Sequence, residues 1–365
     1  MEREPARARR IPVRDAVATL SPGSFAFVMA TGIVSVAMAH KHLDLLSAVL
    51  LALALAGYAV LVVATCYRVL AFPQALRADL VHPGRAFGFF TFVAATNVLG
   101  TRLALDGRYR MALGLLVVGW FGWLVLGYLV PATTVGRRTA SPVLRQVDGT
   151  CFIWVVATQS VAVLAATLEA TTPFWRDAFA LLALFSWTIG SLLYAAAVAL
   201  VAARFLLHRP APEELTPPYW IAMGATAIST MAAASIMTMA EAPSATAAGG
   251  LVAGAALAFW AFGSWLIPVL VAAGWWRHRV HRVPLRYDTT LWTVAFPLGM
   301  YGVAGHALGE AAHLPIVTVI GAAGGWVALA AWTVTFVAML AAPLRTHLHG
   351  PRNDAAGHGR PRDGG

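Results

Sequence analysis

Charge is scarce in this 365-residue chain: 12% of the residues are Asp, Glu, Lys or Arg, while 59% are hydrophobic and the mean hydropathy is +0.71. A water-soluble fold of this length could not bury that much apolar surface, so it is excluded. Only two cysteines occur, Cys66 and Cys151, both near the cytoplasmic ends of their spans where thiols stay reduced, so no disulfide framework is implied. Zinc-protease, P-loop and dinucleotide fingerprints are missing. The pairs His40/His42, His278/His281 and His347/His349 fall on loops or tails, where interfacial histidines are the ordinary case. No metal, cofactor or covalent chemistry is therefore expected, and an enzyme or sensor would need a polar catalytic cluster or folded cytoplasmic domain that is not visible.

What is present is long apolar runs. Stretches of roughly 20 apolar residues, enough to cross a bilayer as helix, cover about 22–40, 45–70, 86–104, 110–133, 150–169, 175–206, 219–240, 247–276, 289–309 and 315–343. Runs such as LLALALAGYAVLVVA lack the alternation of a transmembrane barrel strand. Lipid then leaves only helices to satisfy the backbone. The expectation is an all-α integral membrane protein of ten helices in five hairpins around a central pore, with the odd-numbered helices inside. The domain spans 21–343, between a basic cytoplasmic tail (1–20) and a disordered cytoplasmic tail (344–365).

Cytoplasmic segments near the membrane retain Lys and Arg. With both termini inside, 21 of the 26 basic residues are cytoplasmic, including Arg137, Arg138, Arg277, Arg279, Arg282 and Arg286. Only Lys41, Arg102, Arg108, Arg110 and Arg176 fall outside. Ten acids lie inside and six outside, so the inner face carries +11 and the outer −1, consistent with the net +10. The basic balance is thus topology, and no nucleic-acid partner is implied. The apolar run ending at Ala37-Met38-Ala39 could be taken for a cleaved signal peptide, but it carries an internal repeat that a removable segment would have no reason to share.

That repeat is an aromatic residue six positions before the threonine of an Ala-Thr pair. It occurs at Phe25/Thr31, Phe90/Thr96, Phe152/Thr158 and Trp220/Thr226, with threonines 65, 62 and 68 residues apart. Periods of this size mark stacked supersecondary units. The first helix of each of the first four hairpins also holds most of the intramembrane polar groups. Thr31 with Ser35, Asn97 with Thr101, and Thr226 with Thr230 lie four apart and share a helix face; Thr158 and Gln159 add to the set. Such groups can line a water-filled path, or glue helices together. Their recurrence in register makes them candidate pore-lining residues.

The fifth odd span breaks the pattern, reading LWTVAFPLGMYGVAG. Pro297 removes a backbone hydrogen bond and clashes with the Thr293 carbonyl, so this helix is the one expected to kink. Gly299, Gly302 and Gly305 let a neighbour approach closely. Phe296 beside the kink is either packed in the ordinary way or a constriction. No Asp, Glu, Lys or Arg lies near the middle of any span, since Glu169, Glu241 and Glu310 all sit at external ends. Cation-coupled carriers and cation pores use such groups, so the chain favours an anion or a neutral solute. Arg102, external against the charge rule, is a candidate wall of an outer anion vestibule. The stretch WWRHRVHRVPLR reads as lipid anchoring.

Ten spans in five hairpins, the MATGIVS opening, the His82-Pro83 loop before FGFF and the AFPLGMYGVA span together resemble the tellurite-resistance/dicarboxylate transporter family. That family includes bacterial tellurite-resistance proteins, a yeast malic acid permease and the slow anion channels of plant guard cells. The resemblance covers roughly Leu20 to Pro343 and is more specific for fold than for substrate. It implies a homotrimer in the cell membrane in which each subunit has its own pore, lined by the odd helices and plugged by a phenylalanine of the ninth span, which here is Phe296. The function it implies is transport of small anions, C4-dicarboxylates such as malate or related oxyanions. A proton-coupled symporter and a tellurite-resistance-type exporter are the alternatives. The plant channels' long regulatory tails are absent, so kinase gating is not carried over.

Overall fold

The structure, a computed structural model, describes residues 13–135, 144, 147–171, 173–208, 210–239 and 243–348. Arg137, Arg138, Glu241, His349 and most of both tails lie outside the described residues. Every regular element among the described residues is helical. Ten elements dominate: α1 (Ala26–Ala39), α2 (Asp44–Ala71), α3 (Phe90–Leu105), α4 (Tyr109–Val135), α5 (Phe152–Glu169), α6 (Arg176–Leu207), α7 (Ile221–Met237), α8 (Pro243–Trp275), α9 (Trp292–Ala311) and α10 (Pro315–Leu348).

Two classes of helix follow from composition. The segments ending in α1, α3, α5 and α7 are 72% to 89% buried, whereas α2, α4, α6, α8 and α10 are 17% to 28% buried. The second class turns large side chains such as Leu70, Phe121, Leu192, Trp265 and Val334 outward. Exposed aliphatic rows of that extent have no favourable place in water but match hydrocarbon, so the protein is a multi-pass membrane protein. Nine helical segments among the described residues are long and apolar enough to cross a bilayer. The element left out is α9. Its 20 residues span about 30 Å, but Pro297, four glycines and His306 dilute its hydropathy.

Each odd helix packs on the even helix that follows it, and α1, α3, α5, α7 and α9 also touch in sequence, α9 closing on α1. The result is an inner ring of five helices inside an outer ring of five. Every inner helix begins with one tight 3₁₀ turn: Pro22–Phe25, Phe87–Phe89, Gly149–Cys151, Pro217–Trp220 and Thr289–Leu291. In two of them a proline at the first position lacks the N–H that a helix start leaves open, and in two others an Asx cap, from Asp148 or Asp288, accepts from it.

The last pair packs closest. A Cβ on Gly302 would lie 2.7 Å from the Gly325 nitrogen, and one on Gly305 would lie 3.1 Å from Gly321 Cα. The glycine row thus admits the backbone of α10. Ion pairs, the Arg68–Asp79 pair buried, tie loops to helix ends. Arg68 donates to Asp79 at 2.6 Å, Arg85 adds a second contact to Asp79, and Arg204 holds Glu214, Tyr219 and the Val147 carbonyl. Cys66 is exposed and Cys151 buried, both as free thiols.

Candidate functional site

Counting from the aromatic that opens each repeat turns the inner ring into layers. In α9 that register falls on Trp292, which, like Phe90 and Phe152, is the first helical residue after a 3₁₀ turn. The first positions after it are Ala26, Thr91, Ile153, Ile221 and Thr293, one from each inner helix, and all five line one small axial cavity. The fourth positions are Met29, Ala94, Val156, Gly224 and Phe296. The eighth (Ile33, Val98, Ser160, Ile228, Met300) and the eleventh (Val36, Thr101, Val163, Met231, Val303) all line a second axial cavity, together with Asn97. Spacings of three and four residues keep one helix face on the axis. Five equivalent helices therefore enclose a common axis.

Phe296 stands between the two cavities. It borders the first, and Met300, one turn above it, borders the second. Its ring is 1% exposed. It is the only aromatic residue in its layer, and Met29 and Val156 of that layer border the same cavity. Pro297 lies inside a helix that continues unbroken, with its ring against Gly224, where a Cβ would come within 2.8 Å. Gly299 faces Ile33 of α1 in the same way. The cavities measure about 20 and 10 Å³, room for roughly one water each.

The aligned threonines lie elsewhere than the axis. Sixth in the register, they point outward into the seams with the outer ring. The Thr31 hydroxyl accepts from Trp332 Nε1 of α10 at 3.0 Å, and that of Thr158 from Trp123 Nε1 of α4 at 2.8 Å. Thr96 pairs with the Tyr58 hydroxyl of α2 at 2.8 Å. Because each threonine already donates to the carbonyl four residues back, the aromatic group is the donor. Thr226 packs on Gly263 of α8, and Thr230 donates toward the Ala256 carbonyl there. Gln159 reaches the Trp187 carbonyl of α6. Of the polar candidates, Asn97 reaches the axial cavity, with Nδ2 2.9 Å from Ser160 Oγ. Thr101 and Ser160 join it there. The recurrence was real, but it records how inner helices dock on outer ones.

Ser35 and Arg102 belong to one buried cluster. Arg102 is 4% exposed and donates to Ser35 and Ser47 at 2.9–3.2 Å and to Asp106. Its guanidinium thus bolts α3 to α1 and α2 instead of lining an open vestibule, because three protein acceptors surround it. None of the residues in the four axial layers is charged. Sequence reasoning missed most of these layer positions, although the first, fourth, eighth and eleventh residues after each aromatic could have been counted. Among the described residues no three His, Cys, Asp or Glu side chains converge in a way that could hold a metal ion.

A pseudo-fivefold helical ring in a membrane, with no charged residue in its axial layers, fits a transport protein for uncharged or anionic solutes. The chain belongs to the voltage-dependent anion channel family (SLAC1), whose model matches residues 19–340. It is 66% identical over 148 residues to an uncharacterized membrane protein of Mycobacterium tuberculosis, covering 40% of this chain and 75% of that protein. It is 26% identical over 332 residues to an uncharacterized transporter of Methanocaldococcus jannaschii, covering 88% and 93% of the two chains. A second uncharacterized transporter of that organism is 26% identical over 271 residues, covering 73% and 76%.

Proposed function

We propose that the protein conducts small anions passively along the axis of the five-helix ring, with Phe296 as the plug. The observation that carries this is the layer of Met29, Ala94, Val156, Gly224 and Phe296, in which one ring fills the axis between two cavities. Displacing that ring joins the cavities into a path. The wall is mostly aliphatic, with Asn97, Thr101 and Ser160 on one side of the plug and Thr91 and Thr293 on the other. Selection rests on size, on hydroxyl and amide dipoles and on the missing carboxylates, which would repel an anion. The favoured substrates are C4-dicarboxylates such as malate or related oxyanions.

Proton-coupled symport has little support, because no titratable side chain occupies an axial layer. Each chain encloses its own axis, which suits a homotrimer of independent pores. The excess of Arg in the segments at one face favours the cytoplasmic membrane with both termini inside. Liposome flux of chloride, nitrate, sulfite, malate and tellurite tests the proposal. Dissipative flux of at least one anion is expected. No flux of any of them, or accumulation of malate driven by a pH gradient, would overturn passive conduction.

A further inference from the structure

A third cavity, larger than either axial one at about 40 Å³, opens where α1 ends and α9 meets α10. His40, Lys41 and His306 line it, together with Val303, which also borders the axial cavity. In the register, His40 sits four residues beyond Val36 and His306 three beyond Val303, one turn past the last axial layer. This is therefore the mouth of the path, at the end that bears the α1–α2 and α9–α10 turns. The two imidazoles are 5.4 Å apart, and the Nδ1 atom of each is buried without a hydrogen-bond partner. An unpaired buried ring nitrogen costs free energy unless a ligand satisfies it. Lys41 lies over Trp326 at 5.0 Å and donates to the Ala322 carbonyl, and Gly325 gives its stem room.

We propose that His40, Lys41 and His306 form an anion-binding site at this mouth, which takes a small oxyanion or carboxylate when the imidazoles carry protons. The proposal rests on the reading of the axis as an anion path. An ammonium offers only donors, and so do protonated imidazoles, so in that state the set suits an anion. Burial holds His40 below the ordinary imidazole range, and the groups that face it, His306 from α9, Arg102 from α3 and His42 from its own turn, add to that effect. His40 is thus neutral at pH 7. Acidification charges it, and a bound anion relieves the repulsion between the two rings, so anion and proton bind together.

The test is a nitrate titration of the full chain in detergent, followed by the imidazole signals of isotopically labelled histidine at pH 7.5 and 5.5 and constant ionic strength. Nitrate takes up no proton in that range, so any linkage belongs to the protein. The expected result is affinity about tenfold higher at pH 5.5, with the His40 and His306 signals moving together. His40→Gln with His306→Gln should abolish the pH dependence, and Lys41→Gln should weaken binding at both pH values. Wild-type affinity that does not change with pH overturns the proposal without needing any variant to fold, as does a double variant that keeps the wild-type slope. Binding does not require passage. Absent flux with pH-linked binding retained counts against conduction alone, and intact flux without that linkage counts against this site alone.

Discussion

Phe296→Ala is the perturbation that bears most directly on how the path is closed. The ring is 1% exposed and shares its register layer with Met29, Ala94, Val156 and Gly224, with room for about one water in the cavity on either side. Moving it aside forfeits packing that large-to-small substitutions of a buried Phe put at about 3–5 kcal/mol. If most of that energy opposes opening, its removal raises flux by about two to three orders of magnitude, since every 1.4 kcal/mol is about tenfold. The assay is dissipation of a malate or nitrate gradient from liposomes, normalised to reconstituted protein. Ala94→Phe on the Phe296→Ala background places a ring in the same layer from α3, and flux should fall back toward wild type. Unchanged flux in Phe296→Ala, with helicity and elution volume as in wild type, would refute the layer argument.

Three further outcomes follow from contacts away from the axis. Trp332→Phe and Tyr58→Phe each delete one donor from an inner–outer seam, at Thr31 and Thr96, and should lower stability by about 0.6–1 kcal/mol while leaving anion selectivity unchanged; thermal unfolding and the flux panel check this. A changed selectivity order would return those threonines to the path. Asp79→Asn leaves Arg68, 3% exposed, without its buried partner and should cost about 3–5 kcal/mol, seen as a large fall in unfolding midpoint. Gly302→Val places a branched side chain where even a Cβ would stand 2.7 Å from the α10 backbone, so poorly folded protein is expected on size exclusion, whereas Gly250→Ala, in open space, should be silent.

The amino-acid sequence by itself determined the solvent and the secondary structure. Scarce charge and runs of roughly 20 apolar residues permit helices in lipid and little else, and the spacing of Thr31, Thr96, Thr158 and Thr226 marked the internal repeat. It also set apart Phe296-Pro297, where the fifth copy breaks that pattern. Sequence could not say which face of each repeat looks at the axis, because a threonine at helical spacing serves equally well against a pore or against a neighbouring Trp or Tyr. Only the tertiary structure decided that, by placing Trp332, Tyr58 and Trp123 of the outer ring within hydrogen-bond reach of three aligned threonines and leaving aliphatic residues inside. The same holds for Arg102. Its position promised a vestibule, but Ser35, Ser47 and Asp106 converge on it from three directions, and a buried guanidinium keeps the partners that offset its desolvation. His40 and His306, 266 residues apart in the chain, meet only because the ring closes α9 onto α1.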